Sequence, residues 1–245
     1  MKKELTGKSV PEVTFKVFDG IKWSDVTTDD LFSGKKVIVF SLPGAFTPTC
    51  SKSHVTGYND LADTIKKYGI NDMICMSVND TFVMNAWQDD QKAYKLTFIP
   101  DGNAEFTEKM GMLVDKSDLG FGKRSWRYSM LVNNKVIEKI FIEPDKPGDP
   151  FEVSDADTML WAIDPDAKRP EYITMFTRRG CSLCARAKEL LDQKGIPYET
   201  IEIDDKITNK SIKAATGKTS TPQVFVGGKH IGSLEQLEFY IKENY

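Results

Sequence analysis

KVIVFSLPGAFTPTCSKSHVTGYNDLADTIKKYG, residues 36–69, sets the architecture. Its first seven residues are apolar and rich in β-branched side chains, which predicts a short buried strand. Pro43, Gly44 and Pro48 then break the chain. After Cys50 the residues are helix formers, ending at Gly69 as a C-cap. Strand, loop and helix in that order place Cys50 at a helix N-terminus. A second stretch, YITMFTRRGCSLCARAKELLDQKG at 172–195, repeats the order and places Cys181 and Cys184 at a helix start. Both stretches belong to an α/β protein.

Outward from the first stretch, INDMICMSVND holds a second strand, residues 82–94 a helix and KLTFI a third strand. SWRYSMLV and KVIEKIFIE read as a hairpin about an Asn133-Asn134 turn. VSDADTMLWAI opens a helix with Ser154 or Asp155 as its cap. DPDAKRPE, 164–171, is polar, carries two prolines and has no periodic signal, so it reads as a linker. Beyond it the order is β-α-β-α-β-β-α within about 75 residues, which suits a small sheet covered by helices. The expected division is residues 1–165, a linker at 166–171, and 172–245.

The 245 residues suffice for two modest domains. A net charge of −3 gives no basic field for nucleic acid, and no stretch reaches the length of a membrane span. The N-terminus has two lysines without an apolar segment behind them, so no signal peptide is read and a cytoplasmic protein is expected. Four cysteines are too few and too unevenly spaced for a disulfide scaffold. Cys181 and Cys184 supply half a zinc site with no matching pair, so no metal is expected. Cys75, inside MICMSV, reads as a small core hydrophobe.

Cys50 has no histidine or acid in its loop to serve as a base. Helix-end amides and the helix dipole favour its thiolate instead, and an arginine that cannot lose its proton completes the stabilisation. Arg124 and Arg127 are the candidates. Thr47 offers a hydroxyl that both donates and accepts, and Pro43 shields the site from water. Such a set suits a small substrate with adjacent oxygens, attacked at one of them to leave a sulfenic acid on sulfur. His54, one turn beyond Cys50, reads equally as pocket wall or as a surface histidine.

In the second stretch, Cys-x-x-Cys at a helix start is a redox arrangement: the first thiol sits over unpaired amides and the second lies one turn on. Thr221-Pro222 suits a cis peptide that turns the Thr221 backbone toward the thiols.

The C-terminal segment resembles the glutaredoxins, through FTRRGCSLC, STPQVFVGGKHIGS and the closing helix. The resemblance implies glutathione as partner, Cys181 as nucleophile and Cys184 as resolving thiol. It also implies glutathione contacts from Arg178, Thr221, Pro222, Ser233, Leu234 and Glu235. Ser-Leu between the cysteines and IGSLEQ before the last helix depart from the usual pattern. Residues 3–163 resemble the peroxiredoxins, through PGAFTPTCSKSH, SVND and RSWRYSM. That resemblance implies a peroxidatic Cys50 with Pro43, Thr47 and Arg127 beside it, and two thioredoxin-like domains overall.

With no resolving cysteine near Cys50, the second domain is expected to supply the missing half-reaction. Glutathione attacks the sulfenic acid, and Cys181 then takes the glutathionyl group. Peroxides and glutathione are the expected partners, with no tightly bound cofactor. A homo-oligomer, dimer or tetramer, with exchange between subunits is also expected. Two other readings stand beside this one: a disulfide or deglutathionylation reductase whose first domain only recognises substrate, and a thiol sensor.

Overall fold

The computed structural model describes residues 4–167 and 171–245. The chain forms two compact units, divided between residues 169 and 170. Of the stretch read as a linker, 168–170 lie outside the described residues. Asp164–Ala167 fold back as a turn on the preceding helix: the Ala167 N–H donates to the Asp164 carbonyl and the Trp161 indole donates to Ala167 O. Ala167 is buried there with the first unit's core.

The first unit runs Thr14–Phe18 (β1), Trp23–Thr27 (β2), Thr28–Phe32 (α1) and Lys36–Leu42 (β3). A π-helical turn, Cys50–Val55, leads into Thr56–Lys66 (α2), followed by Asp72–Ser77 (β4), Thr81–Gln91 (α3) and Thr97–Pro100 (β5). Glu105–Lys109 (α4), Leu113–Asp115 (β6), Lys123–Ser125 (β7), Tyr128–Asn133 (β8), Val136–Ile142 (β9) and Ala156–Ile163 (α5) complete it. The five-stranded sheet has the order β5-β4-β3-β8-β9, the first three parallel and the last two an antiparallel hairpin. Alternation along each strand feeds two cores: Ile38, Phe40, Leu42, Met73 and Cys75 face α2, α3 and α5, while Val37, Val39, Ile74 and Met76 face the other side. The whole of β3 beyond Lys36 is therefore buried, as its apolar run implies.

Asp155 caps α5 by accepting the Thr158 N–H, and Asp80 caps α3 by accepting from Val83. The β8–β9 turn falls one residue later than the sequence suggests. Asn133 pairs with Val136, so Asn134 and Lys135 make the turn, both at positive φ, the geometry of a two-residue hairpin loop. The β1–β2 hairpin and the short pieces α1, α4, β6 and β7 went unread in the sequence.

The second unit runs Ile173–Thr177 (β10), Ser182–Lys194 (α6), Tyr198–Glu202 (β11), Asn209–Thr216 (α7), Gln223–Val226 (β12), Lys229–Gly232 (β13) and Leu234–Asn244 (α8). Its sheet order is β11-β10-β12-β13, with β10 and β11 parallel and the other pairs antiparallel. Ile173, Met175, Leu191, Val224, Leu237 and Ile241 form its own core. Both units thus share a plan of parallel β-α-β followed by an antiparallel hairpin and a helix, with a cysteine just past the first parallel strand. This is the thioredoxin-like α/β architecture. Among the described residues no helix is long and apolar enough to cross a membrane, and no acid, histidine and cysteine cluster is built for a metal.

Candidate active site

Cys50 lies in the first turn of a helix that starts at Pro48. The Ser51 N–H donates to Thr47 O at 3.0 Å, and Pro48 sits where a missing N–H costs nothing. The turn is then widened by one residue. The Thr56 hydroxyl donates to Ser51 O at 2.9 Å, and the Trp87 indole donates to the Ser51 hydroxyl at 3.0 Å. The loop before it is pinned to the end of β4 by Asn79, whose Oδ1 accepts from the Ala45 N–H at 3.1 Å and the Ser77 hydroxyl at 2.8 Å. Pro43 is buried, and the half-buried Thr47 donates its hydroxyl to Gly44 O at 2.9 Å. Phe46, between them, is half exposed at φ 62°, a left-handed conformation that a bulky residue seldom adopts.

Of the two candidate arginines, the structure brings Arg127 to the sulfur. Its NH2 group donates to Cys50 Sγ at 3.3 Å, while Arg124 donates to Val78 O. Cys50 and Arg127 are both buried. Arg127 is gripped on three further sides. Asp149 takes the Nε–H at 3.2 Å and a second hydrogen bond from NH2, His54 Nδ1 accepts from NH1 at 3.1 Å, and the guanidinium stacks 5.5 Å from the Phe151 ring centre. Burial works against the charge on Arg127, but Cys50 and then Asp149 more than offset it, and its proton is held above the ordinary guanidinium value.

The surface reading of His54 is overturned. It is fully buried, and its Nε2–H donates to Ser154 O at 3.0 Å, which leaves Nδ1 as the acceptor for Arg127. Burial first, and the neighbouring guanidinium second, hold its pKa well below 6.5, so the ring is neutral. Its position was legible, since residue 54 lies one turn after 50 on the same helix face.

Asp149, Phe151 and Ser154 were missed. They ride on a Pro/Gly-rich loop, 144–155, without periodicity. Glu143, buried at the end of β9, holds that loop: its carboxylate accepts from the N–H groups of Glu152, Val153 and Ser154 and from the Ser154 hydroxyl, at 2.7–2.9 Å. Cys75 is buried in the sheet, and desolvation first, with Cys50 second, pushes its thiol well above 9.0. It stays protonated among apolar neighbours.

In the second unit Cys181 is the N-cap of α6 and forms a disulfide with Cys184. Cys181 Sγ accepts from the Cys184 N–H at 3.1 Å and from the Thr221 hydroxyl at 3.4 Å, and the Thr221–Pro222 peptide is cis. A groove beside Cys181 is lined by Thr177, Arg178, Ser182, Lys188 and Glu202. The structure therefore joins Cys181, Cys184, Thr221 and Arg178. The exposed Arg178 is occupied by Asn209 at 2.5 Å, and Arg179 by Glu202 at 2.6 Å. Ser233, Leu234 and Glu235 do not line that groove. There the helix caps itself: the Ser233 N–H and hydroxyl both donate to Gln236 Oε1 at 2.9 Å, and Leu234 is buried in the core. Glu235 is exposed.

Comparison with known proteins fits this geometry. The Redoxin family matches residues 5–160 and the Glutaredoxin family residues 173–231. The hybrid peroxiredoxin hyPrx5 of Haemophilus influenzae is 61% identical over 236 residues, covering 96% of this chain and 98% of its own. Peroxiredoxin sll1621 of Synechocystis is 54% identical over 169 residues, 64% of this chain and 89% of its own. Among solved structures, reduced Prx3 of Vibrio vulnificus in complex with hydrogen peroxide aligns with a TM-score of 0.62 at 39% identity, over 66% of this chain and 100% of that one. These relatives make the chain an oxidoreductase of the peroxidase kind. A redoxin domain followed by a glutaredoxin domain, with a hybrid peroxiredoxin aligned over nearly the whole of both chains, places this chain in the family of hybrid peroxiredoxins.

Proposed function

We propose that the chain is a glutathione-dependent peroxidase acting on hydrogen peroxide and alkyl hydroperoxides, with Cys50 as the peroxidatic thiol and the glutaredoxin domain as its regenerator. The observation that carries this reading is the guanidinium of Arg127, buried 3.3 Å from a buried sulfur and fixed by Asp149 and His54. Arginine cannot serve as a base, so it supports the Cys50 thiolate by its charge and the hydrogen bond it donates to the sulfur. The Thr47 hydroxyl already donates to Gly44 O and retains lone pairs to accept the peroxide O–H. Sulfur attacks one oxygen, the O–O bond breaks, and the leaving alkoxide or hydroxide takes up a proton. The developing charge meets Arg127 and the helix-end amides. Cys50 is left as sulfenic acid.

Glutathione thiol then condenses with the sulfenic acid, forming a mixed disulfide and releasing water. The Cys181 thiolate attacks the glutathione sulfur, and Cys50 leaves as thiolate. Cys184 attacks the Cys181 sulfur and expels reduced glutathione, or a second glutathione attacks the glutathionyl sulfur, releasing Cys181 as thiolate and leaving as the oxidised dimer. The first route leaves a Cys181–Cys184 disulfide, a bond these two residues are placed to make, and further glutathione reduces it. In this reading Arg178, Thr221 and Pro222 contact glutathione beside Cys181, Ser233, Leu234 and Glu235 offer it only the backbone of the last helix's first turn, and the two domains raise each other's effective concentration, within a chain or between subunits of a homo-oligomer. A cytoplasmic setting supplies the reduced glutathione.

The test is steady-state peroxide consumption with glutathione as reductant. Cys75→Ser retains the activity and Cys50→Ser abolishes it. An equally inactive Cys75→Ser would replace this scheme with one using two cysteines of the first domain. A wild-type protein oxidised once by peroxide and not turned over by glutathione would instead be a sensor.

A further inference from the structure

Asp149 is a charged member of the Cys50 cluster whose side chain meets solvent: it is 37% exposed, against 1% for Arg127. It shares one nitrogen, NH2 of Arg127, with Cys50 Sγ. Two hydrogen bonds meeting at one atom place the carboxylate within about 6 Å of the sulfur. The charge balance follows. Arg127 with the Cys50 thiolate alone would be a neutral pair, open to an approaching anion. With Asp149 bound to the same guanidinium the cluster carries a net negative charge, in surroundings where His54 is neutral and Cys75 protonated. The other charges on this loop do not reverse that sign at the sulfur. Lys146 is paired with Glu152 at 2.9 Å, and Lys116, from the neighbouring segment, points its Nζ at Gly148 O at 3.4 Å and lies 5.0 Å over the Trp126 ring rather than on the sulfur.

We infer that Asp149 is a specificity-determining residue: it tunes the Cys50 site to neutral hydroperoxides and disfavours those that carry a carboxylate near the peroxide. This rests on the reading of Cys50 as the peroxidatic thiol. The same carboxylate orients Arg127, so its replacement lowers the rate with every substrate. The charge effect is isolated in the ratio between two substrates of one shape.

The experiment compares kcat/KM for a carboxylate-bearing alkyl hydroperoxide with that for its methyl ester, in wild type and in Asp149→Asn, at low and high salt. Asparagine keeps one acceptor for Arg127 and removes the charge. In the wild type the ester is favoured at low salt, and the preference shrinks as salt screens the repulsion. In Asp149→Asn the acid-to-ester ratio rises about five-fold, as expected for one charge several ångströms away at intermediate dielectric, and loses its salt dependence. An unchanged ratio in a folded Asp149→Asn protein overturns the inference. If the variant does not fold, equal wild-type rates for acid and ester at every salt concentration overturn it as well. Neither result touches the peroxidase reading, whose own tests are the activities of Cys50→Ser and Cys75→Ser and turnover by glutathione.

Discussion

His54 makes the clearest case at the scale of a single residue. It is a buried imidazole whose two nitrogens are both committed, one to Ser154 O and one to Arg127. In the unfolded chain it takes a proton as pH falls through about 6.5. In the folded chain its pKa lies well below that, so it stays neutral. The unfolded state therefore binds the extra proton between the two values, and stability is lost as pH drops from about 6.5 toward the folded pKa, by at most about 1.4 kcal/mol per pH unit. Asp101 acts in the opposite sense, because burial raises its pKa. The comparison to make is urea unfolding of wild type against His54→Asn across this range, where the variant is expected to lose part of the acid sensitivity. Equal slopes would mean that His54 carries no such linkage. At this scale the sequence was most legible where residue type and spacing coincide: Cys50, Thr47 and Pro43 come from one motif, while Arg127 was one of two candidate arginines until the structure placed it by the sulfur. Asp149 did not, because an acid in an aperiodic loop looks like any solvated charge until the loop is folded.

Elements were legible in proportion to their length and periodicity. β3, α6 and the closing helix carry long apolar patterns and were read close to their observed bounds. The three-residue strands β6 and β7 and the five-residue α4 have too few residues for a period to show. The β1–β2 hairpin was hidden because β2, WSDVT, carries only intermediate or exposed residues. The widened turn at Cys50–Val55 has no sequence signature either, since it depends on the Thr56 hydroxyl and the Trp87 indole reaching Ser51. One short element makes a stability prediction. Ala104, at the start of α4, is held at φ 59°, a left-handed conformation that strains any residue with a Cβ. Ala104→Gly relieves that strain at some cost in unfolded-state entropy, for a net gain of about 0.5–1 kcal/mol. A thermal midpoint below that of the wild type would contradict this.

At the scale of the whole molecule, the two units own separate apolar cores, which a division of the chain near residue 169 implies. Damage to one core is therefore expected to leave the chemistry of the other intact. Leu191 is fully buried in the second core, and Leu191→Ala there costs about 2–5 kcal/mol. Calorimetry should show one transition lowered and the other in place. A single-turnover measurement of Cys50 oxidation should match wild type while glutathione-driven turnover falls. A parallel loss of both rates would show the units to be energetically coupled. The sequence reads as a linker at 164–171 because periodicity stops at that polar, proline-bearing stretch, and Asp164–Ala167 pack with the first unit.

Glu143 hangs a loop of some ten residues on one peg. Three amides and a hydroxyl from the far end of that loop converge on its carboxylate, and Asp149, midway along, keeps the guanidinium aimed. Gly148, at φ 90°, and Pro150 flank that aspartate, so a redesigner who grafts a tag or reshapes the rim has to leave this segment intact or lose the aim on the sulfur.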